Sequence, residues 1–208
     1  MKTLRWLKQL FETDYYHISL STDVHGVECA VALKNAYALG VALAIGLSYM
    51  LVGFLDDLLK KKHEENLGLR AWQKLLFQLS IAVLAGIYCK KEGLTTLYLP
   101  FLNQSLDIGG WIVPLSIFVF IATVNAVNLT DGLDGLAAGV SAPYFATLAI
   151  LILLQNEKTG LSMLSFALMG ALVAYLLFNV APAYVFMGDT GSLSLGGFAA
   201  SITLFSGN

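Results

Sequence analysis

Charge is what this 208-residue chain has least of. Asp, Glu, Lys and Arg together make up 12% of it, about half the ~25% usual in soluble domains. Apolar residues make up 57% and the mean hydropathy is +0.73. A soluble domain of this length cannot bury that much apolar surface, so the composition excludes one and points to an integral membrane protein. Base is not in excess either. The formal net charge is −2, which argues against nucleic acid as a partner. The two cysteines, Cys29 and Cys89, form neither a framework nor a CxxC pair and read as small apolar residues. The three histidines are scattered: no HExxH occurs, and His25 with Glu28 is too sparse for a metal site. The N-terminal stretch MKTLRWLKQLFETDYY lacks an apolar h-region and a cleavage pattern, so no signal peptide is expected. There is no internal repeat and no low-complexity linker.

What is present is a series of apolar stretches, at about 36–55, 75–89, 111–129, 136–154, 161–180 and 193–205. A helix rises ~1.5 Å per residue and needs about 20 residues to cross ~30 Å of hydrocarbon. The fold class expected is therefore all-α, a polytopic transmembrane bundle with about six membrane segments. Trp72 and Tyr88 would anchor the second segment at the interfaces. The sixth segment is the shortest. Between the second and third, LTTLYLPFL with Pro100 and Gly109-Gly110 reads as a loop holding a short strand or hairpin.

The loop at 56–74 carries Lys60, Lys61, Lys62, Arg70 and Lys74, which places it in the cytoplasm by the positive-inside rule. Alternating crossings then put 90–110 and 155–160 outside, and 130–135 and 181–192 inside. Residues 1–35 would lie outside, yet they carry Lys2, Arg5, Lys8 and Lys34. They read as an atypical N-terminal segment; LRWLKQLF within it has the amphipathic character of a surface-lying stretch.

Five aspartates cluster at the inner ends of the apolar stretches, where carboxylates are costly and by default mark function, whereas the outer loops hold only Glu92, Asp107 and Glu157. Asp56 and Asp57 stand in GFLDDLLK, Asp131 and Asp134 in NLTDGLDG, and Asp189 in FMGDTGS. Several carboxylates together suit a hard divalent cation such as Mg²⁺. In a helix, Asn128, Asp131 and Asp134 would share a face at spacing three, with Gly132 and Gly135 opening it to a ligand. The competing reading is a helix-start turn capped by Thr130 or Asp131. Asp189, between Gly188 and Gly191, reads as a metal ligand in an open loop, with Thr190 or Ser192 capping the next helix. The DTG string resembles that of aspartic proteases, but the paired motif of the soluble enzymes is missing, and Phe186 replaces the first Gly of the intramembrane GxGD motif. Asp56 and Asp57 point ~100° apart on a helix, so they would serve different roles. Lys60 and Lys74 are candidates for phosphate contact, whereas for Lys61 and Lys62 attraction to lipid headgroups suffices. Asn179 reads equally as a ligand contact or a helix C-cap. Together these residues suggest a carboxylate site at the cytoplasmic face, with Mg²⁺, a phosphorylated substrate and a second substrate drawn from the membrane.

GFLDDLLK, GLRAWQKLLFQ, NAVNLTDGLDGLAAG and FNVAPAYVFMGDTGSLSLGG resemble the phospho-N-acetylmuramoyl-pentapeptide transferase (MraY) family of bacteria, over about residues 45–205. The resemblance implies transfer of phospho-MurNAc-pentapeptide from UDP-MurNAc-pentapeptide to undecaprenyl phosphate in the plasma membrane, giving lipid I and UMP with Mg²⁺ as cofactor. It implies Asp189 as the metal ligand, and the pair Asp56 and Asp57 together with Lys74 as catalytic residues. Lys60, Asn128, Asp131, Asp134 and Asn179 would line the substrate site, with Phe186 beside the uracil. Family members are longer, so 36–208 is expected to be a transmembrane transferase domain incomplete at both ends. A homodimer stays open. Rival readings are a sister transferase using UDP-N-acetylglucosamine and a truncated remnant without activity. One-step attack by the lipid phosphate is favoured over a covalent aspartyl intermediate, because a phosphate already ionised needs positioning more than deprotonation.

Overall fold

The computed structural model describes residues 24–62, 68–99, 104–154 and 159–206. Helix α1 spans Val24–Lys62, α2 Ala71–Lys91, α3 Ile112–Thr130, α4 Leu136–Leu154, α5 Thr159–Asn179 and α6 Gly188–Ser206. Strands β1 (Thr96–Leu99) and β2 (Gln104–Asp107) pair antiparallel, with Thr96 opposite Asp107 and Leu99 opposite Gln104. The hairpin expected between the second and third apolar stretches is thus present, and a 3₁₀ turn at Gly109–Trp111 leads from it into α3. The all-α bundle is the observed architecture. Among the described residues, five helices, all but α6, contain stretches long and apolar enough to cross a membrane.

The helix bounds differ from the apolar stretches where polar residues were read as loop. Helix α1 does not stop near residue 55 but runs on to Lys62, which puts Asp56, Asp57 and Lys60 on its last turns rather than in the 56–74 loop. The same helix passes unbroken through residue 35, where the sequence changes character. Residues 1–23, including LRWLKQLF, lie outside the described part. Likewise α6 starts at Gly188, ahead of the apolar stretch at 193–205.

Helix α6 is the hub of the bundle. It packs chiefly on α1 and α3, while α4 pairs with α5 and α2 with α3. Its residues Leu193, Leu195, Ala199, Ala200, Ile202 and Phe205 are all buried. The helix is rich in Gly, Ser and Ala, which explains both its lower hydropathy and its central place: small side chains let backbones approach closely. A Cβ on Gly196 would stand 2.6 Å from Val124 Cα of α3, and one on Gly53 of α1 would collide with the Asp189 and Thr190 backbone. Buried hydroxyls must find partners inside the protein where water is absent. Buried Ser201 Oγ donates to Phe198 O at 3.1 Å, and half-buried Ser194 Oγ to the Gly46 carbonyl of α1 at 3.1 Å.

This packing separates two classes of glycine. Gly196→Ala forces α3 and α6 apart and is expected to cost about 1–3 kcal/mol, the usual range for overpacking. Gly139→Ala faces open space and is expected to stay within about 0.5 kcal/mol of wild type. Unfolding of both variants in detergent checks the difference, and equal midpoints would contradict the close contact.

Candidate active site

The chain reverses direction at each connection, so the end of α1, the start of α2, the end of α3, the end of α5 and the start of α6 meet at one end of the bundle. Every candidate residue read from the sequence lies there. The hairpin occupies the other end.

Two carboxylates and two ammonium groups form the centre. Asp56 is 2% exposed. Its Oδ2 pairs with Lys60 Nζ at 3.0 Å and Lys74 Nζ at 3.4 Å, and its Oδ1 accepts the Leu69 N–H at 2.6 Å. Asp189 Oδ2 accepts from the same two lysines, directly from Lys60 and at 3.0 Å from Lys74. Its Oδ1 accepts from Asn128 Nδ2 at 2.5 Å, and that amide also donates to Ser192 Oγ at 2.8 Å. Lys74 reaches the cluster from the first turn of α2. That turn is fixed by the Arg70 N–H donating to Gln73 Oε1 at 3.0 Å. Burial pushes the Asp189 carboxyl up, but the hydrogen bonds it accepts from Lys60, Asn128 and Lys74 outweigh that and hold it well below the usual carboxylate range.

Asp56 and Asp57 make different contacts, in keeping with their angular separation on a helix. Asp57 turns to the start of α6. It accepts the N–H of Asp189 at 3.3 Å, the N–H of Thr190 at 2.9 Å and the Thr190 hydroxyl at 2.6 Å. The expected caps, Thr190 or Ser192, do not cap α6; the cap comes from α1. A carboxylate there satisfies orphan N–H groups and complements the helix dipole. Gly188 enters this turn at φ +64°, with Asp57 Oδ2 2.9 Å from where a Cβ would stand. Asp189 therefore lies in the first helical turn rather than in an open loop.

The 131–135 segment is also not the helical face expected. Helix α3 ends at Thr130, Asp131 N–H donates to Val127 O at 3.1 Å, and a turn follows. Asn128 therefore faces α6 while Asp131 and Asp134 stand apart. Asp134 Oδ2 accepts the Ala183 N–H at 3.0 Å. Asn179, at the end of α5, staples two loops: its Oδ1 accepts from Gly135 N–H at 3.0 Å and its Nδ2 donates to Val185 O at 2.8 Å. Tyr175, which sequence reasoning did not single out, donates to the same Val185 carbonyl at 3.2 Å. The loop so held presents Phe186, 73% exposed. It borders a cavity of about 180 Å³ together with Asp131, Gly132, Asp134 and Asn179. Burial, Asp189 and Asp57 push the Asp131 carboxyl up. Lys61, read as a headgroup contact, is exposed.

Among the described residues no three His, Cys, Asp or Glu side chains are grouped to hold a metal ion. The donor chemistry nevertheless suits Mg²⁺. Asp56 Oδ2 and Asp189 Oδ2 converge on the same ammonium groups, and Mg²⁺ is commonly held by one or two carboxylates, with phosphates and water completing the shell.

The chain belongs to glycosyl transferase family 4, whose model matches residues 39–207. It is 45% identical over 170 residues to a phospho-N-acetylmuramoyl-pentapeptide-transferase of Caldanaerobacter subterraneus, covering 82% of this chain and 53% of that protein. It is 44% identical over 192 residues to one of Clostridium botulinum, covering 91% and 57%. One of Oceanobacillus iheyensis is 42% identical over 169 residues, covering 81% and 52%. The chain thus spans about half the length of the curated relatives it matches.

The two shifted carboxyls make opposite predictions. Folding favours ionised Asp189, so its contribution is present above the ordinary value of 3.8 and is lost as the pH falls below it. Folding disfavours ionised Asp131, which costs stability near neutrality and nothing below 3.8. Asp131→Asn is expected to raise the unfolding midpoint by roughly 2–4 °C at about pH 7 and to lose that gain by about pH 3.5. Asp189→Asn should lower the midpoint near neutrality, by an amount that shrinks on acidification. Changes of the same sign near neutrality would contradict the assigned surroundings.

Proposed function

We propose that this site transfers phospho-MurNAc-pentapeptide from UDP-MurNAc-pentapeptide to undecaprenyl phosphate, giving lipid I and UMP, at the cytoplasmic face of the bacterial plasma membrane. The observation that carries the reading is the meeting of Lys60 and Lys74 with Asp56 and Asp189 from three helices, in a family whose relatives bear the transferase's name. Lys60, Lys61, Lys62, Arg70 and Lys74 at this end support the cytoplasmic orientation.

In the proposed step an oxygen of the lipid phosphate bonds to the phosphorus that carries the sugar. The bond from that phosphorus to the bridging oxygen breaks, and UMP leaves with the electron pair. Lys60 and Lys74 hold the phosphates and offset their charge; such transfers depend mainly on positioning and charge neutralisation. Asp56, next to both lysines, orients the attacking phosphate. Asp57 sets the start of α6 and with it Asp189. Asp56 and Asp189 are the carboxylates that would hold Mg²⁺, which when bound offsets charge on the pyrophosphate and the departing UMP. Phe186, Asp131, Asp134 and Asn179 border the cavity suited to the nucleotide part. Beside Lys74, a cavity of about 370 Å³ is lined by Ala71, Trp72 and Leu75 and bordered by the Gln78 and Asn125 amides. It suits the first part of a lipid chain whose phosphate meets the lysine.

UMP release by this chain in detergent, with Mg²⁺, undecaprenyl phosphate and UDP-MurNAc-pentapeptide, tests the proposal. Release is expected, with a drop of about 10²-fold or more in Lys74→Met, which removes a charge that offsets the phosphates, and in Asp189→Asn, which removes a carboxylate that would hold Mg²⁺. Release with UDP-N-acetylglucosamine alone would assign the sister reaction. No release from well-folded protein with either sugar would overturn the proposal for this chain.

A further inference from the structure

One helical turn inward from the charged cluster lies a second polar layer, in the apolar part of the bundle. Gln78 of α2 is 1% exposed. It exchanges hydrogen bonds with Asn125 of α3: Asn125 Nδ2 donates to Gln78 Oε1 at 2.8 Å, and Gln78 Nε2 to Asn125 Oδ1 at 3.4 Å. Asn125 Nδ2 also donates to Ile121 O at 2.8 Å. From α1, the buried Tyr49 hydroxyl donates to the Gln78 carbonyl at 3.0 Å. The Tyr49 ring stacks on Phe120 of α3, centroids 5.9 Å apart and 12° from parallel, and lies against Gly197 of α6.

The spacing links this layer to the site. Lys74 precedes Gln78 by four residues and Asn128 follows Asn125 by three, so each shares a helix face with its amide, ~4.5–6 Å along the axis. Lys74 and Asn128 are also the residues through which α2 and α3 grip Asp189. An amide pair forms only at one axial and rotational register of two helices, whereas apolar contacts tolerate sliding. We propose that Gln78 and Asn125 are positioning residues, which lock α2 against α3 so that Lys74 and Asn128 reach Asp189 together. This rests on the reading of Lys74 as a phosphate-holding residue, but it concerns placement and can be tested without turnover.

The test is labelling of lysines in the full chain by an amine-reactive reagent in detergent, read by peptide mass spectrometry, with Lys90 and Lys91 as internal references. Lys74 in the wild type is expected to label about tenfold more slowly than those two, as a group reached only by local opening does. Gln78→Leu and Asn125→Leu keep the bulk but lose the pair, and should bring Lys74 to within about threefold of the references. The exchanged pair Gln78→Asn with Asn125→Gln should restore the protection. If a Leu variant does not fold, Gln78→Asn alone, which shortens the reach, replaces it with the same expectation. Lys74 as protected in these variants as in the wild type, or as reactive as Lys90 in the wild type, would overturn the proposal. UMP release in the same samples separates the two readings: loss of Lys74 protection with no release from any sample supports the positioning role and counts against the transferase alone.

Discussion

The structure depends on one carboxylate being shared. Asp189 takes Lys60 from α1, Lys74 from α2 and Asn128 from α3, while Asp57 of α1 holds its backbone N–H. Three helices therefore meet a fourth at a single side chain. The charges balance locally: Asp56 and Asp189 face two lysines, so the cluster is neutral at the end of an apolar bundle. Leaving Asp56, Asp189 or Lys74 without its partner is costly, since a lone buried charge loses far more than the pair gains, whereas Lys60 is more exposed. The glycines at 53 and 196 let α6 come close enough for the cluster to form.

That balance also bears on the proposed chemistry. The cluster of two carboxylates and two lysines can release its ammonium groups to phosphates and its carboxylates to a divalent cation, exchanging one set of charge partners for another. Asp57 stays with the α6 backbone in this account. The two adjacent aspartates then divide the work, one facing the lysines and the other setting the position of Asp189.

Much of this was legible in the sequence, for physical reasons. Apolar runs longer than a bilayer is thick mark helices by themselves, and α4 falls on residues 136–154 as read. The five aspartates of the three motifs stood out because acids are scarce, and those five gathered at one end. What could not be read was contact between segments. Asp57 caps a helix 132 residues further along the chain, a pairing no local pattern encodes. Local signals therefore suggested Thr190 or Ser192 as caps, and a helical face at Asp131 and Asp134 where α3 has already ended. Helix α6 looked short because its central position favours Gly and Ser over Leu. Gln78 and Asn125 were detectable as lone amides inside apolar stretches, where polar side chains need a reason.

The most direct test of the shared carboxylate is a double-mutant cycle on stability, with Lys74→Met, Asp189→Asn and the two combined, followed by reversible unfolding in detergent. If Lys74 and Asp189 meet as described, their effects are not additive, and the cycle returns a coupling of about 1–3 kcal/mol. Effects that add to within about 0.5 kcal/mol would show that the two groups do not meet, and would contradict the account.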